Sequence, residues 1–343
     1  MNKTDKLVRK NIRELIPYSS ARDEFTGSEG VFLDANENPY GNLNRYPDPY
    51  HRKLKAAVSS LKELPQENIF FGNGSDEVID LICRIFCNPG KDKILTFPPT
   101  YGMYEVTAAV NNLTVIRVPL DGNFNIDRGK ILPLLNDENL KIIFICSPNN
   151  PTGNSFEREA IMEIIDRFRG IVVIDEAYID FSIKGSLIQL VGRYENLIVM
   201  QTFSKAWGAA AIRVGMAFAC QNIIRYMYRV KPPYNISGLN QREALKRLGN
   251  PEKYKRQIIT ITSERIRLMR IISQLDAVVN VYPSDANFIL VKVKDADYIY
   301  KKLIAKNIIV RNRSSVINNC LRITVGTRSE NNKLVKELRS ITI

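Results

Sequence analysis

The chain has one histidine, His51, among its 343 residues, and its five cysteines form no CxxC pair. Cys83 and Cys87 stand four apart on a helical pattern, but with so little histidine no zinc or other metal site is expected. Together with Cys146, Cys220 and Cys320 they sit in apolar contexts and read as reduced core residues of a cytosolic protein. No apolar run is long enough to span a membrane. The opening "MNKTDKLVRKNIRELIPY" has basic residues but lacks the apolar core of a signal peptide. No internal repeat or low-complexity tract is visible. From these absences no zinc site, signal peptide or membrane-spanning helix is expected, and the expected compartment is the cytoplasm.

What is present is an ordinary globular composition, 45% hydrophobic and 25% charged, and a length that suggests two domains. The formal charge of +13 invites a nucleic-acid reading. The basic residues are dispersed, however. The densest stretches are "KLVRKNIR", "ALKRLGNPEKYKR" and "SERIRLMR". The last two lie on helical patterns beside apolar residues, as solvated helix faces do, so no nucleic-acid partner is expected. A basic balance also suits small anionic ligands.

Short β-rich runs alternate with helical patterns through the middle of the chain. Strands are expected at 68–72, 93–97, 113–118, 141–146, 171–175, 197–202 and 214–219, and helices at 75–87, 101–110 and 155–169. Several strands are apolar without alternation, as in sheets covered on both faces. This βαβ order predicts an α/β domain with a mostly parallel sheet over 41–235. After that comes a long charged helix at 251–274. Strands follow at 278–283, 287–293 and 320–325, with helices at 295–305 and 329–340. A smaller α+β domain is therefore expected over 236–343. Residues 1–40 lack a fold of their own and are expected to form an arm packed on the small domain.

Ligands of α/β sheets bind beyond the carboxyl ends of the strands, and the polar residues of this chain gather there. "FFGNGSDEVIDLI" reads as strand, glycine turn and helix. Gly72 and Gly74 allow the turn, and the helix start offers free N–H groups around Ser75 and Asp76 to a phosphate. Alone, helix capping explains the string as well. In "SPNNPTG", Asn149, Asn150, Pro151 and Gly153 make a rigid turn that presents an amide side chain, although Asn, Pro and Gly favour ordinary turns too. "IVVIDEAY" ends an apolar strand on Asp175, with Tyr178 three further on; by itself a helix N-cap accounts for the aspartate better. "LIVMQTFSKAW" ends another strand on Thr202, Ser204 and Lys205, and Arg213 precedes the next. A lone lysine is usually solvated. The combined set of carboxylate, amide, phenol, hydroxyls, amine and guanidinium fits an aromatic cationic ring that carries a phosphate and an aldehyde. Lys205 would bond the aldehyde, and Asp175 would pair with a protonated ring nitrogen. Asn150 and Tyr178 would hydrogen-bond the ring oxygen. Ser75, Ser204 and Arg213 would hold the phosphate.

The ordered set GSDE, PPTYGMY, SPNNPTG, DEAY, SKAW and IRVG resembles the pyridoxal-phosphate aminotransferases of the aspartate-aminotransferase fold. "IPYSSAR", "LDANENP", "NRYPDP", "IIVRNR" and "LRITVGT" give a finer pattern similar to the histidinol-phosphate aminotransferase family. One departure is Ala211, where the family usually has glycine two before the arginine. The resemblance implies pyridoxal-phosphate fold type I, with a seven-stranded large-domain sheet. It implies that pyridoxal 5'-phosphate is held by Gly74, Ser75, Asp76, Tyr101, Asn150, Asp175, Tyr178, Thr202, Ser204, Lys205 and Arg213. Tyr101 would stack on the ring, and Lys205, Asp175 and Tyr178 would be catalytic. Tyr46 would reach the cofactor phosphate of the neighbouring subunit, which makes the active unit a homodimer. Arg322 and Arg311 would bind the substrate's anionic end, with Tyr18 and Asn36 nearby. Arg322 faces opposite to Leu321 and Ile323, and strand alternation alone does not say whether that face is solvent or site. The implied reaction is a ping-pong transamination of L-histidinol phosphate with 2-oxoglutarate, giving imidazole acetol phosphate and glutamate, a step of histidine biosynthesis. Threonine-phosphate decarboxylases and aromatic aminotransferases share the cofactor set and are the nearest alternatives. A cofactor-binding regulator would need a helix-turn-helix domain ahead of the fold, and too few residues precede it.

Overall fold

The computed structural model describes residues 3–19 and 30–341. In chain order the first seven strands are β1 (Ile69–Asn73), β2 (Lys93–Thr96), β3 (Thr114–Arg117), β4 (Leu140–Cys146), β5 (Ile171–Asp175), β6 (Leu197–Thr202) and β7 (Val214–Ala219). They form one sheet in the order β1-β7-β6-β5-β4-β2-β3. Strands β2 to β6 run parallel, and β7 is antiparallel to both β6 and β1. All seven stretches expected as strands are strands.

The apolar runs give the sheet two buried faces. Ile143, Ile145, Val172, Ile174 and Val199 join one hydrophobic cluster with Leu54, Ile161, Ile164 and Ala244. Their sequence neighbours Ile142, Phe144, Val173, Ile198 and Met200 join another with Val78, Ile82, Tyr104 and Ile223. Strand periodicity of two sorts adjacent residues to opposite faces, so helices cover the sheet on both sides. One layer holds the helices Arg52–Lys62, Arg158–Arg167 and Gly238–Leu248; the other holds Gly74–Phe86, Met103–Val110 and Gln221–Val230.

The N-terminal segment differs from expectation. Val8 and Ile12 are buried in the large sheet's second cluster. The Tyr226 hydroxyl donates to Asp5 at 2.8 Å, and the Arg229 guanidinium donates to the Arg13 carbonyl at 2.8 Å. Residues 3–13 therefore lie on the large unit, not on the small one, because that is where their two apolar side chains find a face to bury. The expected boundary at residue 236 also falls early. Ala244 belongs to the large core, and Tyr254 stacks on Trp207 with ring centroids 3.7 Å apart.

The small unit's core begins at Leu268, within the 22-residue helix Pro251–Ile272. Its sheet comprises β8 (Val278–Val281), β9 (Phe288–Val293), β10 (Arg311–Asn312) and β11 (Cys320–Thr324), all antiparallel, in the order β10-β11-β9-β8. The helices Ala296–Ala305 and Arg328–Arg339 cover one face with Ile299, Leu303, Leu334 and Leu338. A separate cluster of Tyr178, Phe181 and Ala206 with Ala286 and Phe288 joins the two units, beside the carboxyl ends of β5 and β6.

The start of helix Gly74–Phe86 is seated directly on β7. A Cβ at Gly215 would stand 2.4 Å from both the Gly74 carbonyl carbon and the Ser75 nitrogen. Backbone cannot swing aside as a side chain can. We therefore expect Gly215→Ala to cost about 1–3 kcal/mol through overpacking, read as a lowered midpoint in urea denaturation. An unchanged midpoint would show that β7 and the helix part without cost.

Candidate active site

Strands β4, β5, β6 and β1 deliver their polar ends to one cavity of about 320 Å³. It is lined by Ser75, Asp76, Tyr101, Asn150, Asp175, Tyr178, Thr202, Ser204, Lys205, Arg213 and Arg322, with Cys146, Ala177 and Ala210. Eleven residues singled out in the sequence thus share one space within the size range of small-ligand sites.

Asp175 is the last residue of β5 and only 3% exposed. The Tyr104 hydroxyl donates to its Oδ2 at 2.7 Å, and the Ala177 amide donates to its Oδ1 at 3.0 Å. Burial pushes the Asp175 carboxyl above the ordinary aspartate value; those two donors and the Lys205 charge pull it back. Asp175 is a buried carboxylate with a mate on each oxygen, not a helix cap: the turn Ile179–Phe181 begins at Tyr178 and has no side-chain cap.

Lys205 lies in the turn after β6 and extends into the cavity, through which water reaches it. Its Nζ is 5.4 Å from the centre of the Tyr178 ring. The surrounding protein desolvates the ammonium, which lowers its pKa below the ordinary lysine value, and the Arg322 charge lowers it further. Asp175 acts in the opposite sense. Part of the lysine is therefore a neutral, nucleophilic amine at a lower pH than a solvated lysine would allow.

A second end of the cavity gathers groups that favour an anion. The first turn of helix Gly74–Phe86 opens there, with Gly74 at φ +76°. A Cβ on Gly74 would stand 2.4 Å from Arg213 Nη2, so the guanidinium lies against bare backbone. Arg213 Nη1 donates to Ser204 Oγ at 3.4 Å, and Nη2 to Asp76 Oδ2 at 3.3 Å. Arg213 itself has left-handed backbone, φ +51°, after the turn Ala210–Ile212. With alanine at position 211 the turn still closes, through the Arg213 amide and the Ala210 carbonyl at 3.3 Å, and the side chain still reaches the cavity. Helix N–H groups, a hydroxyl and a guanidinium together could hold a phosphate.

The small unit contributes Arg322. Leu321 and Ile323 are buried under the small unit's helices, and Arg322 projects from the other face of β11 into the cavity. Its Nη1 donates to Asn150 Oδ1 at 2.5 Å, and its guanidinium carbon lies 5.3 Å from the centre of the Phe288 ring. Arg311 stands opposite Arg322 in the antiparallel register but is exposed and does not line the cavity.

Three other expected residues lie elsewhere. Tyr18 is 76% exposed and lines neither this cavity nor the larger one. Asn36 and Tyr46 line a separate, open cavity of about 1110 Å³, in which Tyr46 stacks on Tyr234 at 4.4 Å. That wall also carries the exposed side chains of Leu43 and Leu239. The stretch 16–22, quoted in the sequence pattern, lies partly outside the described residues.

Three groups were given no role from the sequence. Tyr104 stands one helical turn after Tyr101, and that spacing in PPTYGMY was a usable signal. Asn149 ties the loops together by accepting from Thr100 Oγ1 at 2.8 Å and donating to the Pro99 carbonyl at 2.9 Å. Glu176 is buried and accepts from Ser186, the Leu187 amide and Gln201. It belongs to the wall behind the site, not to the cavity.

The model of the family described as aminotransferase class I and II matches residues 28–338. A protein of Parabacteroides distasonis named histidinol-phosphate aminotransferase is 52% identical over 340 residues, 98% of either chain. A Cytophaga hutchinsonii protein of the same name is 49% identical over 343 residues, again 98% of either chain. Among solved structures, a histidinol-phosphate aminotransferase from Sinorhizobium meliloti in complex with pyridoxal-5'-phosphate superposes with a TM-score of 0.79 at 24% identity. The match covers 86% of this chain and 82% of that one. With its polar strand ends and its matches along nearly the whole length, this chain belongs to the class I and II aminotransferase family.

Proposed function

We propose that the protein is a pyridoxal-phosphate-dependent aminotransferase that moves an amino group between L-histidinol phosphate and 2-oxoglutarate in histidine biosynthesis. The observation that carries this reading is the placing of Lys205, Asp175 and Arg322 around one cavity, with a phosphate-binding helix start at its far end. Relatives that share about half of its residues over nearly full length bear the corresponding name.

The donor set fits pyridoxal phosphate. The bare backbone of Gly74, with Ser75, Ser204 and Arg213, would hold the phosphate; Asn150 and Tyr178 would bond the ring hydroxyl; Tyr101 would cover a ring face; and Asp175 would face the ring nitrogen. When bound, the cofactor supplies an aldehyde for amine exchange and a cationic ring that withdraws electrons from the substrate's Cα. The chain's residues do the rest. Lys205 would hold the cofactor through its aldehyde, and its amine, once free, would be the base that takes the proton from the substrate's Cα. Asp175 keeps a negative charge beside the ring nitrogen. Arg322 binds the anionic end of each substrate in turn, because one cavity serves both halves of the reaction.

Tyr46 does not line the cavity of its own chain, and it stands on an open wall with exposed apolar side chains. The reading therefore includes a homodimer in which Tyr46 reaches the neighbouring subunit's phosphate, and a cytoplasmic enzyme. No helix among the described residues is long and apolar enough to cross a membrane.

Borohydride reduction of the loaded protein should fix the cofactor to Lys205, and Lys205→Ala should lose the visible absorbance band. Peptide mapping that finds the label on another lysine overturns the assignment. In single-turnover scans, histidinol phosphate should discharge the band within one turnover. Threonine phosphate should not yield the decarboxylated amine; if it does, the substrate reading is wrong.

Arg322→Lys keeps a charge but loses the two-pronged donor. A lost charge-assisted bond of about 1.5–3 kcal/mol corresponds to roughly 10- to 150-fold in kcat/KM. Both half-reactions should slow while the cofactor band stays. Normal rates with both substrates would remove Arg322 from the anion site.

The pH behaviour of Lys205 follows from its surroundings. The Arg322 charge lowers the lysine's pKa, so its removal raises it. In the cofactor-free protein, the midpoint for reductive methylation of Lys205 should move to higher pH in Arg322→Gln. A midpoint that stays put or falls would mean that the two cations do not sense each other.

A further inference from the structure

The proposed function needs Asp175 as an anion, yet the protein buries it. A carboxyl at the end of an apolar strand with 3% exposure takes up a proton unless donors hold the charged form. Lys205 offers charge across the cavity, but its own ammonium is weakened by desolvation, and Asp76 opposes it with charge of the same sign as the carboxylate. Two neutral donors remain in direct contact: the Ala177 amide at 3.0 Å and the Tyr104 hydroxyl at 2.7 Å. The amide is backbone and cannot be tuned. Tyr104 can.

The surroundings of Tyr104 hold its hydroxyl as a donor to Asp175, with the Cys146 side chain also within its reach. Its ring is fully buried, stacked on Phe144 with centroids 4.7 Å apart and planes within 8°, and the Tyr101 ring stands edge-on at 5.5 Å. Phe144 and Cys146 come from β4, and Cys146 lies directly beside Asp175 in the parallel register. The Cys146 thiol is pushed up by burial and by Asp175, so it stays neutral and does not compete as an anion. Burial and Asp175 likewise hold the Tyr104 phenol well above its ordinary value. The hydroxyl has one proton, and it points at Asp175 Oδ2. Tyr104 is not among the residues that line the cavity, so it acts only through the carboxylate.

We propose that Tyr104 is a positioning residue: its hydroxyl holds Asp175 in the ionised form and fixes the carboxylate plane, so that the proton shared with the ligand's ring nitrogen stays on the ring. The geometry gives each carboxylate oxygen one protein donor and leaves each one a further acceptor direction for the cavity. With the Tyr104 proton gone, the carboxylate becomes a stronger base, and the shared proton moves toward Asp175. This inference rests on the reading of Asp175 as the ring-nitrogen partner.

The test separates the two. Tyr104→Phe keeps the stacked ring and removes only the hydroxyl. In the cofactor-free protein labelled with ¹³C-aspartate, Asp175→Asn identifies the Asp175 carboxyl signal. A hydrogen bond to a charged group is worth one pKa unit or somewhat more, so the midpoint of that signal should rise by about one pH unit in Tyr104→Phe. The control Phe144→Leu disturbs the packing but not the hydrogen bond, and should leave the midpoint in place. Site-specific 3-fluorotyrosine at position 104 keeps the shape, strengthens the donor and should lower the midpoint, which preserves the test if Tyr104→Phe folds poorly. In the protein loaded with ¹⁵N-labelled pyridoxal phosphate, the ring-nitrogen signal of Tyr104→Phe should move toward the unprotonated position. An Asp175 midpoint that ignores both position-104 changes overturns the proposal. A midpoint that shifts as expected while Asp175→Asn leaves the ring-nitrogen signal untouched overturns the assignment of Asp175 to the ring, and with it the proton-placing half of the proposal.

Discussion

A carboxyl group buried at the carboxyl end of β5 is the constraint on which the rest of the site depends. Moving such a group out of water is costly unless donors and opposite charge replace the solvent. Asp175 meets that requirement from three directions. The next turn of its own chain gives the Ala177 amide, the helix after β2 gives the Tyr104 hydroxyl, and the turn after β6 gives the Lys205 charge. None of these is close to the others in sequence. The parallel order of β2, β4, β5 and β6 brings them together, because the carboxyl ends of adjacent parallel strands open on the same edge.

The anion end depends on a different feature, the antiparallel insertion of β7 between β1 and β6. It places the residue before β7, Arg213, against the residue after β1, Gly74, and their backbones bond at 2.9 Å. The contact is so close that neither Gly74 nor Gly215 has room for a Cβ. A guanidinium and a helix start then face one point, and both favour negative charge. The chain's net charge of +13 acts in the same direction over longer range, since a basic protein draws small anions toward it.

The small unit completes the electrostatics. Arg322 lowers the pKa of Lys205 from across the cavity, while Asp175 raises it. The lysine thus lies between a cation from one unit and an anion from the other. The Tyr178–Phe288 contact holds the two units in register at that point, with the rings edge to face at 5.1 Å.

Much of this was legible in the sequence. Apolar runs without alternation announced the seven central strands, because a strand covered on both faces has no polar side to show. Turn glycines and polar residues at the strand ends marked Gly74, Asn150, Asp175 and Lys205, because side chains at those ends are the ones a parallel sheet leaves open. Local pattern could not say which way Arg322 points, since alternation separates it from Leu321 and Ile323 without telling which face meets solvent; the packing of the small unit against the large one decided that. Nor could it assign Tyr104, whose hydroxyl finds its partner 71 residues away. Residues 3–13 went to the large unit for a similar reason: Val8 and Ile12 carry no label for the surface they will bury against. Periodicity and turn chemistry are written along the chain. Partners across the fold are chosen by which faces remain free once the sheets have formed, and only the tertiary structure decides that.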